Sequence, residues 1–213
     1  MNPVHRITHS PTAVEVKLAD GTTERADAVI VTAPIGALSH IEFDPPLPAG
    51  EQKVIAEGTN SVGFKIWIKV AGRHSVIAGA PGDTPISLLR SEYFLDDEDA
   101  TILVGFGSDH NAIDLQDGDS AQKALNVWRD DLKVLDCGGH DWVADKWSGQ
   151  TWATLRSGQF FDGWSNFLSS DSRLRFAGAD FARGWNGVVV DGAIESGIVT
   201  ARSLIREFAN ELD

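Results

Sequence analysis

Apolar and polar residues alternate along several stretches of the chain, a pattern typical of β-strands that bury one face. The clearest alternation lies in residues 13–18 and 63–70. Residues 28–32 read AVIVT, and such a continuous β-branched run predicts a strand buried on both faces. Residues 87–95 and 101–106 extend the second alternating segment into a meander. The chain is therefore predicted to contain at least one antiparallel sheet and one central strand.

Two stretches have the period of an α-helix instead. Residues 120–135 are predicted to form an amphipathic helix that Asp119 or Ser120 caps, with Leu125, Trp128, Leu132 and Leu135 on one side. Residues 192–208 give the stronger helix prediction, and a short strand at 175–179 precedes it. The apolar stripe of this second helix consists of Ile194, Ile198, Ala201, Ile205 and Phe208.

Composition and charge narrow the classes of protein. The chain has 213 residues, of which 42% are hydrophobic, enough for one domain or two small ones. It carries 31 acidic and 18 basic residues, a net charge of −13, and the basic residues are scattered, which argues against a nucleic-acid partner. The longest apolar stretch, 26–38, is interrupted by polar residues, Pro34 and Gly36, so no membrane span is expected.

The sequence shows no pattern typical of a disulfide or of a metal site. Cys137 is the only cysteine, so no internal disulfide is expected, and no histidines or cysteines have the spacing of metal ligands. The first residues lack the apolar core of a signal peptide. These features lead us to expect a cytoplasmic protein without a metal site.

The strongest local indication of a ligand site lies near the C-terminus. A predicted strand ends in the small residues of LRFAGAD (174–180), and a helix then begins at GAIESG (192–197). Small residues let a ligand approach the backbone, and the free N–H groups of a helix start favour negative charge. Close packing of the helix against the strand explains the same residues, Gly197 included. The residues alone leave both interpretations open.

The same region resembles a known family. The segments FAGAD, GWNG and DGAIESG are similar to the C-terminal flavin-binding signature of the flavin-dependent amine oxidases, which include monoamine oxidases and bacterial nicotine-pathway enzymes. ADAVIVTAPIGAL with IEFDPPLP, then SVGFKIWIKV, then DWVADKWSGQTW resemble further family segments in the family's order. Several motifs in one order make the resemblance specific, and it covers nearly the whole chain.

The resemblance implies a fold and a division of the chain. The expected class is α/β (α+β mixed), the C-terminal half of a FAD-binding Rossmann-like amine oxidase fold with a β-sheet-plus-helix substrate domain. Residues 1–37 and 147–213 are assigned to the FAD-binding domain, and 38–146 to the substrate-binding domain. The Pro-rich segment 43–48 is predicted to cross between the two, because prolines exclude regular structure.

Cofactor contacts also follow from the resemblance. Val4 matches the residue whose backbone meets the adenine of FAD, and Trp142 and Trp147 match aromatics along the flavin ring. Other matched positions meet the ribityl-diphosphate or lie under the flavin pyrimidine, where a helix N-terminus stabilises negative charge on reduced flavin. These positions are Gly178, Ala179 and Asp180, and then Asp191, Gly192, Ala193 and Ile194.

Two residues receive catalytic roles from the resemblance. Lys65 matches the lysine that holds a water beside flavin N5, although a lysine on the polar face of a strand is ordinarily just solvated. Trp152 matches one wall of the aromatic cage that positions a neutral amine and excludes water. Thr151 stands where monoamine oxidases carry the cysteine bonded to flavin, which implies non-covalent FAD.

Two departures limit the resemblance. Three valines, 188–190, stand where relatives have two residues, which implies an absent or displaced second cage aromatic. The G-x-G-x-x-G turn that binds the FAD diphosphate is missing, so a complementary subunit with the dinucleotide-binding half is expected to complete the enzyme.

The expected function is oxidation of a small-molecule amine by hydride transfer to flavin N5 in a hetero-oligomer. Two alternatives stay open at this point. The chain could be a non-catalytic structural or regulatory subunit of a flavoprotein complex. The three valines and the absent or displaced cage aromatic favour this alternative. It could also belong to a flavin-dependent desaturase or isomerase.

Overall fold

The structure is a computed structural model that describes residues 2–80, 83–127, 129–169, 173–183 and 189–211. The strands are β1 (Val4–His9), β2 (Val14–Leu18), β3 (Thr23–Ala26), β4 (Val29–Val31), β5 (Glu42–Asp44), β6 (Phe64–Ala71), β7 (Ile77–Gly79), β8 (Leu88–Leu95), β9 (Ala100–Gly107), β10 (Val134–Gly139) and β11 (Leu174–Phe176). The helices are α1 (Ile35–Leu38), α2 (Ala49–Glu57), α3 (Gly118–Asn126), α4 (Gln159–Asp162) and α5 (Val190–Glu211). This mixture of strands and helices agrees with the expected α/β (α+β mixed) class.

The chain divides into two compact units. The first unit combines Met1–Ser61 with Lys146–Asp213, and the second unit is Val62–Asp145. Among the described residues, no helix is both long enough and apolar enough to cross a bilayer. The described part of the chain also contains no group of three or more His, Cys, Asp or Glu side chains that could hold a metal ion.

The first unit contains two sheets. One has the order β3-β2-β1-β5, in which β1 runs antiparallel to β2 and parallel to β5. The other is a parallel pair, β11-β4. One apolar core joins them to α1, α2 and the aromatic segment before β11; its members include Ile7, Val31, Leu38, Val54, Trp164, Phe167, Phe176 and Phe181.

The second unit is built on one antiparallel sheet with the order β10-β6-β9-β8-β7. The alternation in β6 is observed as predicted, because its even-numbered residues are buried while Lys65 and Trp67 are exposed. The buried side packs with Ala121, Ala124 and Leu125 of α3 in a single core. The opposite face of β6 therefore carries Lys65.

The predicted helix over residues 120–135 is only half correct. Helix α3 ends at Asn126, and Val134–Gly139 forms β10, which pairs antiparallel with β6. Trp128 lies outside the described residues. The cap is Asp117, whose carboxylate accepts the N–H groups of Asp119 and Ser120. Pairing with β6 satisfies the backbone of β10, and this outweighs a helical spacing of leucines.

The Pro-rich segment does not cross between the units. Within it, β5 pairs with β1, and α2 begins directly after Pro48. Leu47 and Val54 belong to the core of the first unit, and that unit continues to Ser61. The assignment of residues 1–37 and 147–213 to the FAD-binding domain, and of 38–146 to the substrate-binding domain, stays a prediction.

The predicted C-terminal strand and helix both form. The strand is shorter than predicted, since β11 ends at Phe176 and one 3-10 turn covers Ala179–Phe181. The helix is longer than predicted, because α5 covers Val190–Glu211.

Candidate functional site

The end of β11 is fixed by a glycine and a serine. Gly178 has φ +130° and ψ 177°, a conformation that residues with a Cβ rarely adopt. Its N–H donates to Ser196 Oγ over 2.7 Å, and its carbonyl oxygen lies 2.9 Å from the same hydroxyl, which donates to it. Ser196 belongs to α5, so these bonds hold the first turns of α5 beside the end of β11.

Asp180 is a buried acid, with 9% of its surface exposed. Its carboxylate accepts the Ile35 N–H over 2.7 Å and the Gln150 Nε2 amide over 2.8 and 3.0 Å. Gln150 in turn accepts the Gly36 N–H through Oε1, over 2.9 Å. Burial raises the pKa of Asp180, and the bonds from Ile35 and Gln150 counteract part of that rise. Asp180 thus joins α1, β11 and the segment around Gln150 rather than presenting its charge to solvent.

Asp180 was predicted to lie against the ribityl-diphosphate of FAD. Its carboxylate is engaged with the backbone of α1 and with Gln150, and a second anion beside it would be repelled. A contact between this segment and a diphosphate is therefore better made by the backbone of Gly178 and Ala179. The assigned contact stays a prediction.

Trp152 and the segment after β11 line the same cavity of the first unit. This cavity has a volume of about 210 Å³, and its walls include Pro34, Trp152, Gly178 and Ala179. The backbone N–H of Trp152 donates to Ser61 Oγ over 2.7 Å, which fixes the start of the loop that carries the indole. A second cavity of about 220 Å³ shares Ala179 with the first. The fold thus brings together four predicted site residues, namely Trp152, Gly178, Ala179 and Asp180.

The four predicted positions at the start of α5 lie in its first turns. Asp191 and Ile194 are exposed, Gly192 is buried, and Ala193 is half-buried. The Ala193 N–H donates to Val189 over 3.2 Å. The predicted GWNG segment and Val188 lie outside the described residues, so the displaced cage aromatic stays a prediction.

Val4 and Trp147 lie elsewhere in the first unit. Val4 begins β1 and packs against the core of that unit. Trp147 is partly exposed, with its ring 6.2 Å from that of His40 in an edge-on arrangement and with Lys146 Nζ 4.7 Å from its ring centroid. Neither residue is part of the walls of the two cavities described above. Their assignment to adenine and to the flavin ring stays a prediction.

Lys65 stands in aromatic surroundings on the exposed face of the second unit. Its Nζ lies 4.3 Å from the ring centroid of Trp67 and 6.0 Å from that of Phe106. Trp67 stacks on Tyr93, with 6.4 Å between centroids. Among the described residues no carboxylate pairs with Lys65, whereas Lys69, four residues along the same strand, pairs with Glu98. A cation over an aromatic ring keeps its hydrogen-bond donors available.

Trp142 belongs to the second unit. It is exposed, and its ring lies 4.3 Å from that of His140. Its predicted place along the flavin ring stays a prediction.

Two further residues of this region, Gln150 and Ser196, could not be predicted from the sequence. Both lie inside segments that resembled the family, but nothing in their spacing indicated buried hydrogen bonds. Gln150 bonds Gly36 across 114 residues of sequence, and such a partner has no local signal. For Ser196, the only hint is a small hydroxyl residue next to Gly197 in IESG.

A Gly36→Ala variant tests the close contact that supports Gln150. A Cβ at Gly36 would lie 2.5 Å from the Ser148 carbonyl oxygen and 3.0 Å from the Gly149 carbonyl carbon. Both are backbone atoms, so α1 has to shift, and we expect a loss of about 1–3 kcal/mol in the free energy of unfolding. Urea unfolding of the purified protein measures it.

Gly197→Ala is the matched control for this variant. A Cβ there meets nothing within 4 Å, and the helix should gain about 0.5–1 kcal/mol. Equal stability of the two variants would contradict the proposed role of Gly36.

Comparisons with known proteins agree with one another. The family model described as flavin containing amine oxidoreductase matches residues 1–205. Pseudooxynicotine dehydrogenase of a Pseudomonas species is 31% identical over 199 residues, 92% of this chain and 39% of the relative. (S)-6-hydroxynicotine oxidase of Paenarthrobacter nicotinovorans is 31% identical over 190 residues, 89% of this chain and 44% of the relative.

Solved structures show the same fold. An engineered putrescine oxidase superposes with a TM-score of 0.81 at 18% identity, covering 97% of this chain and 48% of the other. Cyclohexylamine oxidase of Brevibacterium oxydans gives a TM-score of 0.79 at 17% identity with the same coverage. The chain therefore spans less than half the length of these relatives and neighbours.

Proposed function

The chain belongs to the family of flavin containing amine oxidoreductases, and from this premise we propose that it supplies the C-terminal half of an amine oxidase or dehydrogenase. The enzyme oxidises a C–N bond of a small-molecule amine and binds FAD non-covalently. A second chain carries the G-x-G-x-x-G half. The cavity shared by Trp152 and the segment Gly178–Asp180 is the observation that carries the proposal most directly.

The residues of the first unit fit a flavin. The backbone at Gly178 is free of a side chain at the end of β11, and the first turn of α5 offers N–H groups that favour negative charge by about 0.3–1 kcal/mol. FAD, when bound, supplies the hydride acceptor at N5. Gly178, Ala179 and residues 191–194 are the positions that would hold it, and Val4 and Trp147 would complete the set.

Trp152 and Lys65 would serve the substrate side of the reaction. Trp152 gives an aromatic face on which a neutral amine is oriented and water is excluded. Lys65, with no carboxylate partner among the described residues, has donors available to hold a water or to bind a substrate atom. Proton movement at the amine nitrogen would then proceed through groups of this chain, and the imine product hydrolyses with water.

Thr151 supports non-covalent attachment. A threonine has no thiol to bond the flavin, and its hydroxyl lies 2.8 Å from Ser61 Oγ. We expect acid precipitation of the complete enzyme to release all of its flavin into the supernatant. Flavin that stays with the protein pellet would contradict this part of the proposal.

Co-expression tests the whole proposal. The chain is produced with a polypeptide of the same genome that carries G-x-G-x-x-G, and the purified complex is examined for flavin absorption. Anaerobic addition of amines, with nicotine, pseudooxynicotine, putrescine and cyclohexylamine as the first probes because relatives and fold neighbours are named for them, should bleach that absorption.

The outcomes separate the candidate functions. Bleaching by one amine supports the oxidoreductase. A flavin-loaded complex that no amine reduces would favour a desaturase or an isomerase, and a colourless complex would favour a structural subunit.

A further inference from the structure

Helix α5 exposes its apolar side. Its side toward the sheet carries hydroxyls: Ser196 bonds Gly178, and Thr200 Oγ1 donates to the Phe176 carbonyl over 3.4 Å. At about 100° per residue, positions 194, 198, 201 and 205 lie on the opposite side. Three of them are large and exposed, namely Ile194 at 56%, Ile198 at 46% and Ile205 at 66%. A helix in a globular protein ordinarily buries such a stripe.

The parallel sheet next to α5 has one open edge. Val29 donates its N–H to Arg173 over 2.9 Å, and Val31 accepts the N–H of Ala177 over 3.0 Å. Neighbouring residues of a strand direct their backbone groups to opposite sides, so the N–H and C=O of Ile30 point away from β11. They have no hydrogen-bond partner among the described residues.

The other edge of this sheet is covered. Phe176 and Gly178 direct their backbone groups away from β4, and the hydroxyls of Thr200 and Ser196 bond them. The open edge of this sheet is therefore the one at Ile30 of β4. A parallel pair of strands is rarely stable when one of its edges is left unpaired.

We propose that the apolar face of α5 (Ile194, Ile198, Ala201 and Ile205) and the open edge of β4 together dock the second chain, the polypeptide with the dinucleotide-binding half. This inference rests on the proposed function. The second chain adds a strand beside Ile30 and packs an apolar surface on α5.

Two observations favour this occupant over a second copy of the same chain. The fold neighbours contain about as much polypeptide again as this chain covers, since it spans 48% of each. In addition, two copies would each carry a net charge of −13, and that repulsion opposes self-association. An unpaired strand edge with a nearby apolar helix also suits a partner built of strands and helices rather than an extended peptide.

Photo-cross-linking identifies the occupant. A photoreactive amino acid replaces Ile198, and the chain is expressed in its own organism. The control carries the same group at Phe161, which is 86% exposed and lies away from α5 in the sequence. We expect position 198, and not 161, to cross-link a separate polypeptide whose peptides include G-x-G-x-x-G. Cross-links to a second copy, to a segment of the same polypeptide, to an unrelated protein or to nothing would overturn the proposal.

Affinity measurements test the surface itself. In the co-expressed pair, Ile198→Asp with Ile205→Asp should raise Kd by at least about 100-fold, since each isoleucine buried on binding contributes about 10-fold or more. Ile30→Pro, which removes an outward N–H without breaking the bonds to β11, should raise Kd by about 10-fold. The control Ile77→Asp changes an 84% exposed residue of the second unit and should leave Kd unchanged.

The readouts distinguish this inference from the proposed function. Circular dichroism of each variant confirms that α5 and the sheet are folded. A complex that the aspartates disrupt but that never reduces flavin with an amine supports the docking surface and contradicts the activity. An active complex that tolerates both aspartates contradicts the docking surface alone.

Discussion

Replacing Asp180 with alanine is expected to lower the free energy of unfolding by about 2–4 kcal/mol. The carboxylate is nearly fully buried and accepts the Ile35 N–H and the Gln150 amide. Alanine would leave both donors without an acceptor in the interior, and each such loss costs about 1–3 kcal/mol. Urea unfolding followed by tryptophan fluorescence measures the change, because Trp164 donates its indole N–H to the Asp180 carbonyl.

Asp162→Ala is the matched control, since it removes an acid of the same unit from an exposed ion pair with Lys53. Exposed pairs contribute about 0–1 kcal/mol. A loss at Asp180 no larger than at Asp162 would show that the buried network does not support the unit.

The pH dependence of Asp180 follows from the same burial. Burial raises the pKa of Asp180 in the folded state above the value of about 3.9 in an unfolded chain. The folded state therefore holds this proton more tightly, and the resulting stability is fully present below about pH 3.9 and is lost as the pH rises through the folded pKa. Asp180→Asn cannot titrate, so its stability relative to wild type should improve as the pH rises through that window. A difference independent of pH would contradict the raised pKa.

The sequence predicted elements best where one strand or helix buries a single face. The alternation in 63–70 was enough to place Lys65 on the exposed side of β6. The spacing of leucines in 120–135 was not enough, because residues 134–139 pair with β6 through backbone groups that carry no side-chain pattern. The extent of α5 was nearly correct, but periodicity could not tell that its apolar stripe faces outward, since that depends on which chain segments are present to cover it.

The candidate site was predicted through resemblance, and the structure explains only part of it. Gly178 has a backbone conformation that favours glycine. The motif FAGAD had indicated only that small residues end the strand. The part played by Asp180 could not be predicted, because its partner Ile35 lies 145 residues away in the sequence. Gln150 was missed for the same reason. Long-range hydrogen bonds between buried groups require the fold before they can be recognised.

Lys65→Met in the complete enzyme is expected to slow amine-dependent flavin reduction by about 100-fold to 10,000-fold, the range of a side chain that directs proton transfer. The Lys65 ammonium lies over Trp67 and beside Phe106, and no carboxylate neutralises it among the described residues. Methionine keeps the length and the apolar stem of the side chain while it removes the donors, so flavin content and association of the two chains should not change. Anaerobic stopped-flow measurement of the flavin absorption gives the rate.

Lys69→Met is the matched control, and it distinguishes a catalytic role of Lys65 from a structural one. Lys69 lies four residues along the same strand, on the same face, but it pairs with Glu98. Its loss removes an equal charge from the sheet, and we expect a change in rate of less than about 3-fold because exposed ion pairs contribute little. If both variants turn over amine at the wild-type rate, the result favours the alternative in which the chain is a structural subunit. If both are slowed equally, the net charge of the sheet rather than the position of Lys65 controls the reaction.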